Sequence, residues 1–205
     1  MKKRIFNSKS GYTLVELLAV MAIIIVVGTI MTGILISSLR GGNKSNALDN
    51  VRQNGNDLIA QMSKTIAYAK RFNGVSVNGN SYIINCFQSI SASPTPTPTP
   101  IKYKFIKITS FDDSVTVFSC NGESDIPSNT LASKSDSLEA VSLIDTSTVL
   151  LQPGLCYFSC IQTNFGQSPT IGIYFTLSQI TLSNFAEKQA TVPFQTSVTM
   201  RNNNF

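Results

Sequence analysis

The stretch Gly11–Leu39, GYTLVELLAVMAIIIVVGTIMTGILISSL, decides the architecture of this chain, because it is a mostly apolar run with a single charged residue, Glu16. A helix rises about 1.5 Å per residue, so roughly 20 apolar residues cross the hydrocarbon core of a bilayer. The stretch therefore predicts a membrane-spanning helix at the start of the chain.

A short basic leader precedes this apolar run, with positive charges at Lys2, Lys3, Arg4 and Lys9. A secretory signal peptide is cut behind its apolar region, at a site of small residues. Here a lone glycine, Gly11, stands ahead of the apolar run instead. The sequence therefore predicts cleavage before the helix, and the positive leader predicts a cytoplasmic N-terminus with the remainder exported.

Residues 11–18, GYTLVELL, resemble the cleavage and methylation motif of type IV prepilins and type II secretion pseudopilins. The resemblance implies that a prepilin peptidase removes residues 1–11 and methylates the new amino group of Tyr12. Family members most often begin with Phe, and Tyr12 keeps the aromatic ring. The apolar helix would then remain as the core of a filament. The resemblance covers only the leader and the apolar helix.

Glu16 is the second residue of this motif with an implied role. A carboxylate within the membrane costs roughly 2.5 to 3.5 kcal/mol on insertion scales, so an intramembrane acid is a functional candidate. The resemblance implies that Glu16 pairs with the Tyr12 amine of a neighbouring subunit and sets the register of assembly. The alternative is an acid near the helix end that snorkels to the interface.

Composition bounds the rest of the chain. Its 205 residues suffice for one anchor helix and one globular domain. Loss of the leader leaves 12 basic against 11 acidic side chains, so the mature protein is nearly neutral and DNA binding is not indicated. The chain has no His and its carboxylates are scattered, which predicts no enzyme activity, no catalytic residue and no cofactor.

The adjacent pair Asp112 and Asp113 is predicted to form a hairpin turn. Calcium bound by loop carboxylates, as in some pseudopilins, is the alternative, but the acidic residues lack calcium-loop spacing and no metal site is predicted.

Four cysteines lie in the part predicted to be exported, where an even number indicates disulfides. Zinc is disfavoured because the chain lacks His and the C-x-x-C spacing. Several pairings are possible. The favoured one joins Cys86 to Cys120, in separate predicted strands, and Cys156 to Cys160, which would close a small loop.

Helical periodicity continues beyond Leu39, since Leu48, Val51, Leu58, Met62 and Ile66 recur at helical spacing. One long helix, from about Leu14 to about Ala69, is predicted, with residues 12–40 as the membrane half and 41–72 as the amphipathic half. Gly41–Gly42 is the weakest place, where the helix leaves the membrane and can bend.

Residues 73–205 are predicted to form an extracytoplasmic antiparallel sheet domain, giving an α+β fold with the helix packed on the sheet. The segment from Lys70 to Gly74 is predicted to end the helix in a turn. The predicted strands are Tyr82–Gln88, Lys102–Thr109, Ser114–Cys120, Thr148–Leu151, Cys156–Gln162, Thr170–Leu177 and Thr191–Met200.

Two long polar segments interrupt these strands. Residues 93–100 repeat Pro at every second position, which favours an exposed polyproline II spacer, with a glycosylated stalk or a protein ligand as alternatives. Residues 121–137 are rich in Ser, Asn and Asp and predict a second loop.

These observations together favour a pilin-like structural subunit. Its predicted partners are other pilin subunits, the prepilin peptidase, the inner-membrane assembly platform and, before assembly, the membrane itself. A minor pilin is favoured over a major one, because the loops and the cysteine-bearing sheet exceed what a bulk subunit needs. The alternatives are a type II secretion minor pseudopilin and a membrane-anchored binding domain that does not polymerise. The predicted location is the cell membrane, followed by an extracellular or periplasmic filament.

Overall fold

The structure is a computed structural model that describes residues 11–86, 101–120, 129–136, 138–164, 166–180 and 189–202. It consists of one long helix and two antiparallel sheets, which confirms the predicted α+β class. The leader before Gly11, the Pro-rich segment 93–100 and most of the polar loop 121–137 lie outside the described residues.

The helix α1 spans Leu14–Ala67 and continues without a break through Gly41 and Gly42. The chain divides into two compact units, Met1–Asn43 and Lys44–Phe205. In the first unit, every described residue is exposed, including the apolar ones. The apolar surface of this part of α1 is therefore available to a membrane or to other chains.

In the second unit, the predicted apolar stripe of α1 is buried in the domain core, except for Leu48, which is partly buried. Val51, Leu58, Met62 and Ile66 are fully or almost fully buried. Burying one such side chain contributes roughly 1.5 to 3 kcal/mol, so this half of the helix is a structural part of the domain core.

The helix ends two residues earlier than predicted, and Arg201, two residues beyond the end of the final strand, caps it. The Arg201 N–H donates to the Ala67 carbonyl at 3.0 Å. The Arg201 guanidinium lies over the Tyr68 ring, 4.7 Å from its centroid, and donates to the Tyr68 hydroxyl at 3.1 Å. A cation near the C-terminus of a helix also interacts favourably with the helix dipole.

The first sheet, sheet A, contains five strands that pair consecutively and antiparallel. The turn between its second and third strands contains Asp112 and Asp113, as predicted, with Asp113 at φ 63°. The strands are β1 (Arg71–Ser76), β2 (Phe105–Thr109), β3 (Val115–Ser119), β4 (Ala132–Ser135) and β5 (Val141–Ser142).

The second sheet, sheet B, contains β6 (Val149–Leu151), β7 (Tyr157–Ile161), β8 (Thr170–Gln179) and β9 (Thr191–Thr199). The long strand β8 is central: β9 pairs along one edge, and β6 and β7 share the other. The predicted alternation along β8 is confirmed, since Ile171, Ile173, Phe175 and Leu177 are all buried. The sheets are joined where Tyr103 and Phe158 exchange backbone hydrogen bonds of 2.9 and 2.7 Å.

Two predictions about the first strands are wrong. The Asn73–Gly74 pair does not end the helix in a turn; it forms an irregularity within β1, where Gly74 has φ 118°. A positive φ suits a bulge as well as a turn, so the dipeptide alone does not distinguish them. In the described part of the predicted strand Tyr82–Gln88, only Ile83 pairs, through a single bridge to Val75. Beyond that bridge the Cys86 N–H donates to the Gln162 side chain at 2.6 Å instead of to a ladder.

The expectation of disulfides is confirmed, but the favoured pairing is wrong. The structure joins Cys86 to Cys160 and Cys120 to Cys156, with Cα–Cα distances of 5.6 and 5.5 Å. Cys156 and Cys160 cannot pair because the chain between them is the extended strand β7. Four residues at about 3.3 Å each separate their Cα atoms by roughly 13 Å, well beyond disulfide reach.

Candidate processing and assembly site

The predicted cleavage point lies just ahead of α1, in an open setting. Gly11 is exposed, and Tyr12 is 83% exposed. A Cβ added at Gly11 would meet no atom of the described residues within 4 Å. The fold of this chain therefore sets no requirement for glycine at this position, and a requirement would have to come from an enzyme that reads it.

The start of α1 is capped by Thr13, the residue that precedes the helix. Thr13 is the N-cap, and its Oγ1 accepts a hydrogen bond of 3.2 Å from the Glu16 N–H. The spacing Thr13-x-x-Glu16 is that of a capping box, in which an acid or Gln at the third helical position supports the cap. The sequence carries this signal, and sequence reasoning missed it.

Glu16 thus has a local structural role beside the implied role in assembly. An acid in the first helical turn is favourable to the helix dipole. The Glu16 side chain is exposed, and no basic side chain of the described residues pairs with it. Its carboxylate remains available to a group from outside the chain.

The remaining predicted site residues, the four cysteines, lie in the second unit and form the two disulfides. The most perturbed carboxylates are in turns there. The Ser114 hydroxyl and N–H lower the pKa of Asp112, and those of Ser147 lower the pKa of Asp145. These are turn-stabilising contacts. Within the described ranges, no three His, Cys, Asp or Glu side chains gather in a group that could hold a metal ion.

Residues 6–32 match the family described as "Prokaryotic N-terminal methylation motif". The chain carries the type IV pilin and pseudopilin signature. This motif begins within the leader, includes Gly11, Tyr12 and Glu16, and ends inside α1.

The searches of curated proteins and of solved structures found no match. The match to the methylation motif covers residues 6–32, and none of the strands β1 to β9 lies within it. The motif points to a structural subunit that is processed by a prepilin peptidase and assembles with other pilins.

The helix that carries the motif meets the physical requirement for a membrane anchor. Among the described residues, α1 is long and apolar enough to cross a membrane. Its apolar window lies near the N-terminus and is not buried within the chain. A membrane-anchored precursor fits both the helix and the motif.

Proposed function

We propose that this chain is a pilin-like structural subunit, cut after Gly11, methylated on Tyr12 and assembled into a filament through α1. The observation that carries the proposal is the methylation motif at residues 6–32, placed at the start of an exposed apolar helix. The N-terminus of the precursor lies in the cytoplasm, and residues 73–205 form the extracytoplasmic domain.

Assembly in this proposal depends on Glu16. After cleavage, the Tyr12 amine carries a positive charge that is costly in lipid unless it is paired. The Glu16 carboxylate of a neighbouring subunit supplies the opposite charge. The inner-membrane assembly platform is the partner that brings the subunits together.

Within the family, we assign the chain to the minor subunits of a type IV pilus. The long segments between the strands and the sheet with two disulfides support this choice. The measurement that tests it is the molar ratio of this chain to the main subunit in purified filaments, for which we expect a small fraction.

Cleavage is tested by Gly11→Ala, with Gly41→Ala as a matched control. Neither added methyl group meets an atom of the described residues within 4 Å. We expect Gly11→Ala to block processing because the peptidase reads this position, and Gly41→Ala to be processed like the parent. Mass spectrometry of the N-terminal peptide distinguishes a methylated Tyr12 from an intact leader. Normal processing of Gly11→Ala, or a parent that keeps Met1, would contradict the proposal.

A further inference from the structure

One end of sheet A carries two lysines, Lys102 and Lys104, that pair with no carboxylate of the described residues; we name it the lysine end. Lys104 extends the ladder of β1 to β3 by one residue, and its Nζ donates to the Cys156 carbonyl at 2.6 Å. The Nζ of Lys102 lies 4.7 Å from the centroid of the Tyr157 ring. Burial, and then the charge of Lys102, lower the pKa of Lys104, so the two ammonium groups repel each other. No described carboxylate pairs with either.

The opposite end of sheet A carries exposed carboxylates; we name it the acidic end. Asp112 lies in the turn between β2 and β3, and Asp136 and Glu139 lie between β4 and β5. The strand register places both turns at the same end. Two basic residues also lie at this end: Lys70, which forms an ion pair with Asp113, and Arg71, at the start of β1. The other three carboxylates have no basic partner in the described part of the chain.

Each end also exposes large apolar side chains beside its charges. At the acidic end, Phe111 is 63% and Leu138 is 67% exposed. At the lysine end, Ile101 is 48% and Leu155 is 53% exposed, next to Lys102 and Cys156 in the chain. Protein interfaces typically have a desolvated apolar centre and a polar rim, and apolar side chains bordered by charged ones match this composition.

The two ends of one molecule cannot neutralise each other. The five residues of β2 separate them by roughly 17 Å at about 3.3 Å per residue, which exceeds the Debye length of about 8 Å at physiological ionic strength. Two copies can bring opposite ends together. Because the surfaces in contact would differ, the interface would be heterologous, and a heterologous interface that does not close forms an open filament.

We propose that the lysine end of one copy docks on the acidic end of the next copy of this chain. The inference rests on the proposed function, since it names a contact between subunits of the filament. It gives the domain a role in assembly beside that of α1. It also predicts that copies of this chain adjoin one another, so that even a minor subunit is present in runs of more than one.

Charge reversal tests this contact in the full-length chain, with the filament-borne fraction as the readout. Lys102→Glu and Glu139→Lys each place like charges together, and each should lower that fraction at least about threefold, while the double variant restores it. Lys107→Glu is the matched control, because Lys107 lies in the middle of β2, over Tyr82. It should assemble like the parent. Equal resistance to protease would show that all variants are folded.

A cross-linking arm identifies the two surfaces directly. Copies with Lys102→Cys and copies with Glu139→Cys, expressed together, should give a mixed disulfide dimer in filaments, and Lys107→Cys with Glu139→Cys should give none. Reversals without effect in a chain that still enters filaments, or a loss that the double variant does not restore, would overturn this contact and leave the proposed function intact. A parent that never enters filaments would overturn both.

Discussion

At the scale of single residues, the structure assigns Gly55 a role that its effect on helix propensity does not suggest. A Cβ at this position would lie 2.1 to 2.5 Å from three carbons of the Phe194 ring. That ring stacks on Phe175, with centroids 5.1 Å apart. Gly55 therefore provides the space into which β9 packs its aromatic side chain against α1.

Substitution of Gly55 by Ala tests this packing. Ala gains about 1 kcal/mol in helix propensity, but overpacking costs roughly 1 to 3 kcal/mol because the ring must move. We expect a net loss of about 1 kcal/mol in the free energy of unfolding, measured by thermal denaturation in detergent. Gly41→Ala, whose added methyl group meets no described atom, should be neutral or stabilising. Equal stability of the two variants would contradict the packing role.

At the scale of elements, β7 is the strand that connects the two sheets of the domain. Both disulfides reach this strand, one at Cys160 and the other at Cys156 immediately before it. The same strand pairs with β8 and, through Phe158, with the segment that leads into β2. The strand thus holds sheet A to sheet B by covalent bonds and hydrogen bonds together.

Peptide mapping of the non-reduced protein tests the pairing. We expect Cys86 linked to Cys160 and Cys120 linked to Cys156, with no free thiol. Removal of either bond should cost roughly 2 to 5 kcal/mol, slightly more for the first. The reason is its longer closed loop, with a sequence separation of 74 against 36. A peptide that contains Cys156 bonded to Cys160 would contradict the observed pairing.

The sequence predicts those elements whose pattern is strong within one segment. The helix and β8 are of this kind, because the apolar run, the buried stripe and the alternation from Ile171 to Leu177 each specify one period. The polar strand β4, Ala132–Ser135, gives no such signal and lies in a predicted loop. Whether this segment forms a strand depends on its pairing with strands that are distant in the sequence.

The functional residues and the disulfides show the same difference between local and long-range signals in the sequence. Gly11, Tyr12 and Glu16 are found from a local motif, and the capping box of Thr13 is equally local. The disulfide partners and the fit of Phe194 over Gly55 depend on how strands far apart in sequence meet. No spacing of cysteines in the chain encodes that arrangement.

At the scale of the whole molecule, the chain divides its apolar surface between two uses. From Lys44 onward, the buried face of α1 supports the sheets, while the apolar residues of the first unit remain exposed. An exposed apolar surface of this size indicates a membrane or other chains as its surroundings. In the proposed function it lies in the membrane before assembly and against neighbouring helices afterwards. Glu16 is the single charged residue between Gly11 and Leu39. In the proposed function it is therefore the residue on which the choice of neighbour depends.

Two substitutions separate the possible roles of Glu16. Gln at the third helical position still supports the capping box but carries no charge, whereas Val loses both. If Glu16 only caps the helix, Glu16→Gln assembles like the parent. If Glu16 only snorkels to the membrane interface, both variants assemble like the parent. If it pairs with the Tyr12 amine of a neighbour, both leave that amine unpaired in lipid, where loss of a partner costs several kcal/mol.

The ratio of filament-borne to membrane-borne protein for the parent, Glu16→Gln and Glu16→Val is the measurement that tests the account most directly. All three should be inserted and cut normally, as checked by the mass of the N-terminal peptide. We predict that the parent enters filaments and that both variants fall at least about tenfold, since each 1.4 kcal/mol corresponds to a factor of ten. A parent absent from filaments, or Glu16→Gln entering them as well as the parent, would contradict it.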